Sequence, residues 1–132
     1  MMFRIKKEFH FSASHQLAHL ADDHQCARIH GHNYIVVVEL QAASLDDDGF
    51  VRDYAELKPL KNYLDDEFDH RHLNDVLDVY TTAENIAKHL YDWCKARWPE
   101  TSSVAVSETP KTWAEYKPVS YTHLTLPTIC SV

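Results

Sequence analysis

Glycine and proline are scarce in this chain. Two glycines and five prolines in 132 residues exclude collagen-like and low-complexity sequence and leave one globular domain as the reading. No uncharged apolar run reaches the roughly 18 residues that cross a bilayer, and the first eight residues carry charges where an export signal would carry an apolar core. A cytoplasmic protein without a membrane partner is expected. Positive charge is also in short supply: 13 Lys+Arg against 20 Asp+Glu give a net charge of −7 with neutral histidine, which argues against nucleic acid as a partner. The three cysteines, Cys26, Cys94 and Cys130, are odd in number, so no disulfide framework is expected. What the chain has in excess is histidine, ten in all, nine of them before residue 90.

Charge stops abruptly near the end. Residues 119–132 contain no Asp, Glu, Lys or Arg and resemble a read-through of cloning adaptor of the kind found at the ends of environmental gene sequences. The functional domain is therefore expected over residues 1–118, with 119–132 a non-native tail. The alternative is a genuine C-terminal strand rich in Thr and Val.

Within the domain, Phe3, Ile5, Phe9 and Phe11 alternate with polar residues, the period of a half-buried strand, and the same parity carries Ala13 and His15 inward. Tyr34–Leu40 is a β-branched run, read as a second strand. Ser44–Gly49 is a turn. Asp53–Glu56 has the form of a helix start ahead of Leu57, Leu60, Leu64 and Phe68, with Pro59 in the first turn of a helix that begins near Lys58. Thr81–Glu84 reads as a capping box for a second helix with Ile86, Leu90, Trp93 and Cys94 on one face. Two short strands follow, near Val104–Glu108 and Thr112–Tyr116. The order ββααββ implies an α+β domain, an antiparallel sheet with two helices on one face. The long second strand would leave an apolar surface exposed in a monomer, and oligomerisation would cover it.

The densest chemistry lies in Cys26-Ala-Arg-Ile-His30-Gly-His32. In extended backbone His30 and His32 project to the same side, and a hairpin turning around Asp22–Arg28 brings His15 to the same point. Three imidazoles with an open position are the ligand set of a catalytic zinc site. Cys26 is either a fourth ligand or a nearby base, since a thiol beside a cation loses its proton readily. Cys94, on an apolar helix face, reads as core. Asp69 beside His70 has the form of an oriented acid or base. Glu108, on the inward parity of Val104 and Val106, needs a partner: a Lys or Arg, or a planar ligand offering adjacent N–H donors.

These residues, with Asp69-His70, Ser107-Glu108-Thr109-Pro110, Val51-Arg52-Asp53-Tyr54 and Thr82-Ala83-Glu84, resemble the 6-pyruvoyltetrahydropterin synthase family over about Phe3–Pro118. The resemblance is nearest to its bacterial branch, the 6-carboxy-5,6,7,8-tetrahydropterin synthases of the queuosine pathway. It implies the tunnelling fold (T-fold), with trimers pairing into hexamers and active sites between subunits. It further implies that His15, His30 and His32 hold Zn2+, that Cys26 accepts a proton, and that Asp69 and His70 form a supporting relay. Glu108 would grip the pterin and couple to that relay, and Thr82 would contact the same ring. The implied substrate is 7,8-dihydroneopterin triphosphate, cleaved to 6-carboxytetrahydropterin with release of acetaldehyde and triphosphate. The alternatives are triphosphate elimination alone, as in 6-pyruvoyltetrahydropterin synthase, and a non-catalytic metal- or pterin-binding module. A triphosphate on so acidic a chain leads us to expect basic residues such as Arg28 and Lys111 at the pocket mouth.

Overall fold

A computed structural model describes residues 2–119. Residues 120–132, which hold His123, Cys130 and nearly all of the expected tail, lie outside the described residues. Strand β1 (Phe3–His15) and strand β2 (His30–Ala42) form a long antiparallel hairpin. Helix α1 (Lys58–Glu67), the two-residue strand β3 (Arg71–His72) and helix α2 (Ala83–Arg97) follow, then β4 (Thr101–Thr109) and β5 (Thr112–Tyr116). The sheet order is β3-β1-β2-β4-β5, so the α+β reading with two helices holds.

Four expectations need correction. Strand β2 leaves no apolar surface exposed, since it pairs with β1 on one side and β4 on the other and Tyr34, Val36, Val38 and Leu40 are buried under the helices. The sheet has a fifth strand between the helices, and β3 runs parallel to β1 at Ala13 and Ser14, because two residues are too few to carry a sequence period. β2 begins at His30, four residues before the β-branched run, since its polar start pairs with the polar end of β1. Helix α2 is capped by Thr82, whose hydroxyl accepts from the Asn85 N–H at 3.2 Å, rather than by a Thr81–Glu84 box. Thr81 is fully buried and bonded to His15 instead.

The period-two pattern decides which side of the sheet is dry. Phe9, Phe11 and Ala13 of β1, Tyr34, Val36, Val38 and Leu40 of β2, and Val104 and Val106 of β4 are buried under both helices. Leu60, Leu64 and Phe68 come down from the α1 segment, and Ile86, Ala87, Leu90, Tyr91 and Cys94 from α2. Each fully buried leucine contributes on the order of 2 kcal/mol of transfer free energy. Trp93 departs from the expected apolar face: it is only partly buried, with Tyr63 stacked on it at 4.6 Å and the Arg97 guanidinium 3.6 Å from its ring centre. Pro59 stands in the first turn of α1 as expected, while Asp53 caps a separate 3-10 turn, Tyr54–Leu57.

Arg52 pins the connection after β2 through two bonds to Glu100, of 2.6 and 2.9 Å. No described helix is long and apolar enough to cross a membrane.

Candidate functional site

The β1–β2 register sets His15 directly opposite His30 and places His32 opposite Ala13, two residues along the same face. Their three ring centres stand 4.5, 4.9 and 5.1 Å apart. One nitrogen from each ring lies within 4.8 Å of the other two. This spacing suits a shared metal ion, and it results from strand parity plus one hairpin.

Hydrogen bonds orient two of the rings. His15 Nδ1 lies 2.7 Å from the Thr81 carbonyl and His30 Nδ1 lies 2.7 Å from the Arg28 carbonyl. A carbonyl oxygen only accepts, so both Nδ1 atoms carry the proton and donate it. Each Nε2 of a neutral ring is then a lone pair, and these two are 3.0 Å apart. The Glu108 carboxylate adds an oxygen 3.2 Å from His15 Nε2 and 3.3 Å from His32 Nε2. Lone pairs and a carboxylate packed this closely repel unless positive charge sits among them. The donor set therefore fits a divalent cation, and its carbonyl-tied imidazoles have the outer support usual for metal-binding histidine.

Where a proton on His15 Nε2, in place of a cation, faces Glu108, its hydrogen bond is the largest cause that holds the Glu108 carboxyl below the usual carboxylate range, with burial opposing it. Burial lowers His32, Glu108 opposes, and the neighbouring imidazoles lower it further. Glu108 thus faces inward as its parity predicted, but its protein partners are histidines and neither Lys nor Arg. Tyr34, fully buried beneath the cluster, has a hydroxyl without a hydrogen-bond partner among the described residues, and burial with Glu108 nearby raises its pKa.

Cys26 does not join the ligand group of His15, His30 and His32, so the fourth-ligand alternative is not supported. It sits half-buried on the 3-10 turn Gln25–Ala27. Asp69 and His70 end the α1 segment. One Asp69 oxygen accepts from the Ser12 N–H at 2.8 Å, and the other stands 3.7 Å from His70 Nε2, beyond hydrogen-bond reach. The His70 side chain is 83% exposed; it opens, with Ser12, Ser14 and Asn33, on a cleft of about 510 Å³. Among the described residues no hydrogen bond joins Asp69 or His70 to Cys26 or Glu108. Within one chain, then, the structure unites His15, His30, His32 and Glu108, and leaves Cys26 and the Asp69-His70 pair apart.

Thr82 is occupied as the α2 cap, immediately after the Thr81 carbonyl that holds His15. Arg28 contributes its carbonyl to His30, and the side chains of Arg28 and Lys111 are exposed. Cys94 is buried, its thiol pushed up to about 12 by that burial, consistent with a core role. Sequence reasoning missed Thr81, whose contribution is chiefly a backbone carbonyl and has no residue-type signature.

Comparison with known proteins matches this arrangement to one family. The family model described as 6-pyruvoyl tetrahydropterin synthase matches residues 4–119. The chain is 33% identical over 129 residues to the 6-carboxy-5,6,7,8-tetrahydropterin synthase of Bacillus subtilis, covering 88% of this chain and 86% of that one. It is 37% identical over 126 residues to the protein of the same name from Synechocystis, covering 87% and 93%. The structure of Caenorhabditis elegans 6-pyruvoyl tetrahydropterin synthase superposes with a TM-score of 0.79 at 28% identity, covering 90% of this chain and 97% of that one. From Arg4 to Val119, strands, helices and histidine cluster included, the chain belongs to the 6-pyruvoyl tetrahydropterin synthase family.

Proposed function

We propose that the protein is a zinc-dependent carbon-carbon lyase that converts 7,8-dihydroneopterin triphosphate to 6-carboxy-5,6,7,8-tetrahydropterin, releasing acetaldehyde and triphosphate, as a cytoplasmic step of queuosine synthesis. The observation that carries this reading is the trio of histidines whose Nε2 atoms converge beside Glu108 while carbonyls hold two of the Nδ1 protons. The names of the bacterial relatives point the same way.

His15, His30 and His32 would hold the zinc, which when bound polarises the substrate's side-chain oxygens and acidifies the adjoining C–H bonds. Glu108, kept ionised by its surroundings, accepts the two adjacent N–H groups of the pterin ring and sets its orientation. Cys26 takes the proton, and His70, backed by Asp69, moves a proton on the other face of the side chain. Thr82 closes the ring pocket through its backbone. Arg28 and Lys111 supply charge for the triphosphate.

Assembly completes the site in this reading. Among the described residues, residues 3–12 of β1 have no strand partner on the side away from β2, and Cys26 is not joined to His70 within the chain. A trimer or hexamer that pairs these edges covers the strand and sets one chain's His70 against another's Cys26.

Metal analysis and product identification on one purified sample test the reading. Stoichiometric zinc and acetaldehyde release are expected, with turnover lost and zinc retained in Cys26→Ala. Triphosphate release without acetaldehyde would instead assign the 6-pyruvoyltetrahydropterin synthase reaction, the activity named for the C. elegans structure. Bound metal with no turnover would leave a binding module. Sedimentation should give a trimer or hexamer.

A further inference from the structure

We propose that the side-chain amide of Asn74 is a positioning residue for Cys26, acting through Gln16, so that the turn carrying the thiol is fastened to the same segment that carries Asp69 and His70. The proposal rests on the assignment of Cys26 as the proton acceptor.

A 3-10 turn of three residues has little rigidity of its own, so Cys26 depends on what holds Gln25–Ala27. Besides the His24 cap, whose Nδ1 accepts from the Cys26 N–H at 3.1 Å, two bonds from the end of β1 do so. The Leu17 N–H donates to the Cys26 carbonyl at 2.9 Å, and Gln16 Nε2 donates to the Ala27 carbonyl at 2.8 Å. Both come from the two residues that follow the last position of β1, so the placement of the turn against the sheet depends on Gln16 and Leu17.

Asn74 holds Gln16 by its backbone. The Gln16 N–H donates to Asn74 Oδ1 at 2.9 Å, and Asn74 Nδ2 donates back to the Gln16 carbonyl at 2.8 Å. The amide therefore does for one residue what a neighbouring strand would do, with one acceptor and one donor facing the same peptide groups.

Asn74 is itself placed by a chain of contacts along β1. The Ser12 N–H donates to Asp69, the His70 N–H donates to the Ser12 carbonyl at 2.6 Å, and β3 pairs with Ala13 and Ser14. Residues 69–74 thus run beside residues 12–16, with the proposed relay at one end and the Gln16 clasp at the other. A base that must meet a C–H bond loses rate steeply when it drifts by a fraction of an ångström. Asn74 ties the thiol turn to the segment whose relay, in the proposed assembly, faces a neighbouring chain's Cys26, so one clasp bears on both sites.

The test uses the full-length, zinc-loaded protein in a Cys130→Ser background, leaving Cys26 and the buried Cys94. The rate of Cys26 alkylation by iodoacetamide is followed with kcat, KM, metal content and Tm. Asn74→Ala is expected to speed alkylation on the order of tenfold, the effect of two lost hydrogen bonds, and to lower kcat with KM and zinc content unchanged. Asn74→Asp keeps the acceptor for the Gln16 N–H and should fall between parent and alanine. Gln16→Ala, which spares Asn74, tests the link from Gln16 to the turn and should shift alkylation and kcat in the same direction; Asn74→Asp decides the matter if Asn74→Ala does not fold. Parental alkylation rates in folded Asn74→Ala or in Gln16→Ala overturn the proposal, as does loss of zinc in step with any change. If the parent shows no turnover, the role given to Cys26 fails, while the alkylation series still reads the clasp.

Discussion

At the scale of single residues, the site is built from restrictions on where protons can go. Two backbone carbonyls commit the Nδ1 protons of His15 and His30, leaving acceptors pointed at one another and at Glu108. The charge on Glu108 and its shape can be separated by substitution. Glu108→Gln keeps the size and half of the hydrogen-bonding pattern, while removing the negative charge that the histidines favour. Loss of one charge-assisted bond to the pterin should lower kcat/KM by about ten- to a hundredfold, with zinc retained, measured by steady-state kinetics beside metal analysis. Zinc lost in the same variant would mean that Glu108 serves the metal and not the ring. These partners were only half legible in the sequence. Parity pointed Glu108 inward, but a sequence does not reveal that its neighbours across the sheet are imidazoles.

At the scale of elements, alternation was the readable signal. Phe9, Phe11, Ala13 and His15 faced inward as their spacing required, and so did Tyr34, Val36 and Val38, because a strand has no freedom to rotate its faces. The helix starts were less readable. Thr81 and Thr82 are both good caps by type, and the choice fell to Thr82 because Thr81 is used by His15. β3 was invisible, being two residues held by pairing alone, and so was His70 in the left-handed region at φ 58°, a conformation costing about 1 kcal/mol that its N–H bond to Ser12 helps to hold. Between the helices, His89 Nε2 bonds the Tyr63 hydroxyl at 2.8 Å, and burial lowers the His89 pKa, with Asp92 opposing. The folded state therefore resists a proton that the unfolded chain accepts near pH 6.5. Stability from this pair is fully present above that pH and is lost as pH falls toward the lower folded value. Urea unfolding of parent and His89→Gln at pH 7.5 and 5.5 should show the smaller pH dependence in the variant; equal slopes would remove His89 from the acid response.

At the scale of the whole molecule, the charge break near Lys117 coincides with the end of the family match at residue 119. Truncation after Pro118 should leave Tm, zinc content and assembly unchanged, checked by calorimetry and sedimentation, and a drop in any of them would give residues 119–132 a structural role. The sheet also spreads the site unevenly along the chain. All three imidazoles lie within one hairpin, at most 17 positions apart between His15 and His32, whereas the carbonyl that orients His15 is 66 residues away. A hairpin closes in microseconds, but distant partners must wait for the larger chain closures. A partly unfolded chain can therefore chelate before helix α2 docks. A metal that also bound non-native states would stabilise the protein by less than its affinity for the finished site alone would give. That difference measures what the Thr81 carbonyl and the docked helix add to a chelating hairpin.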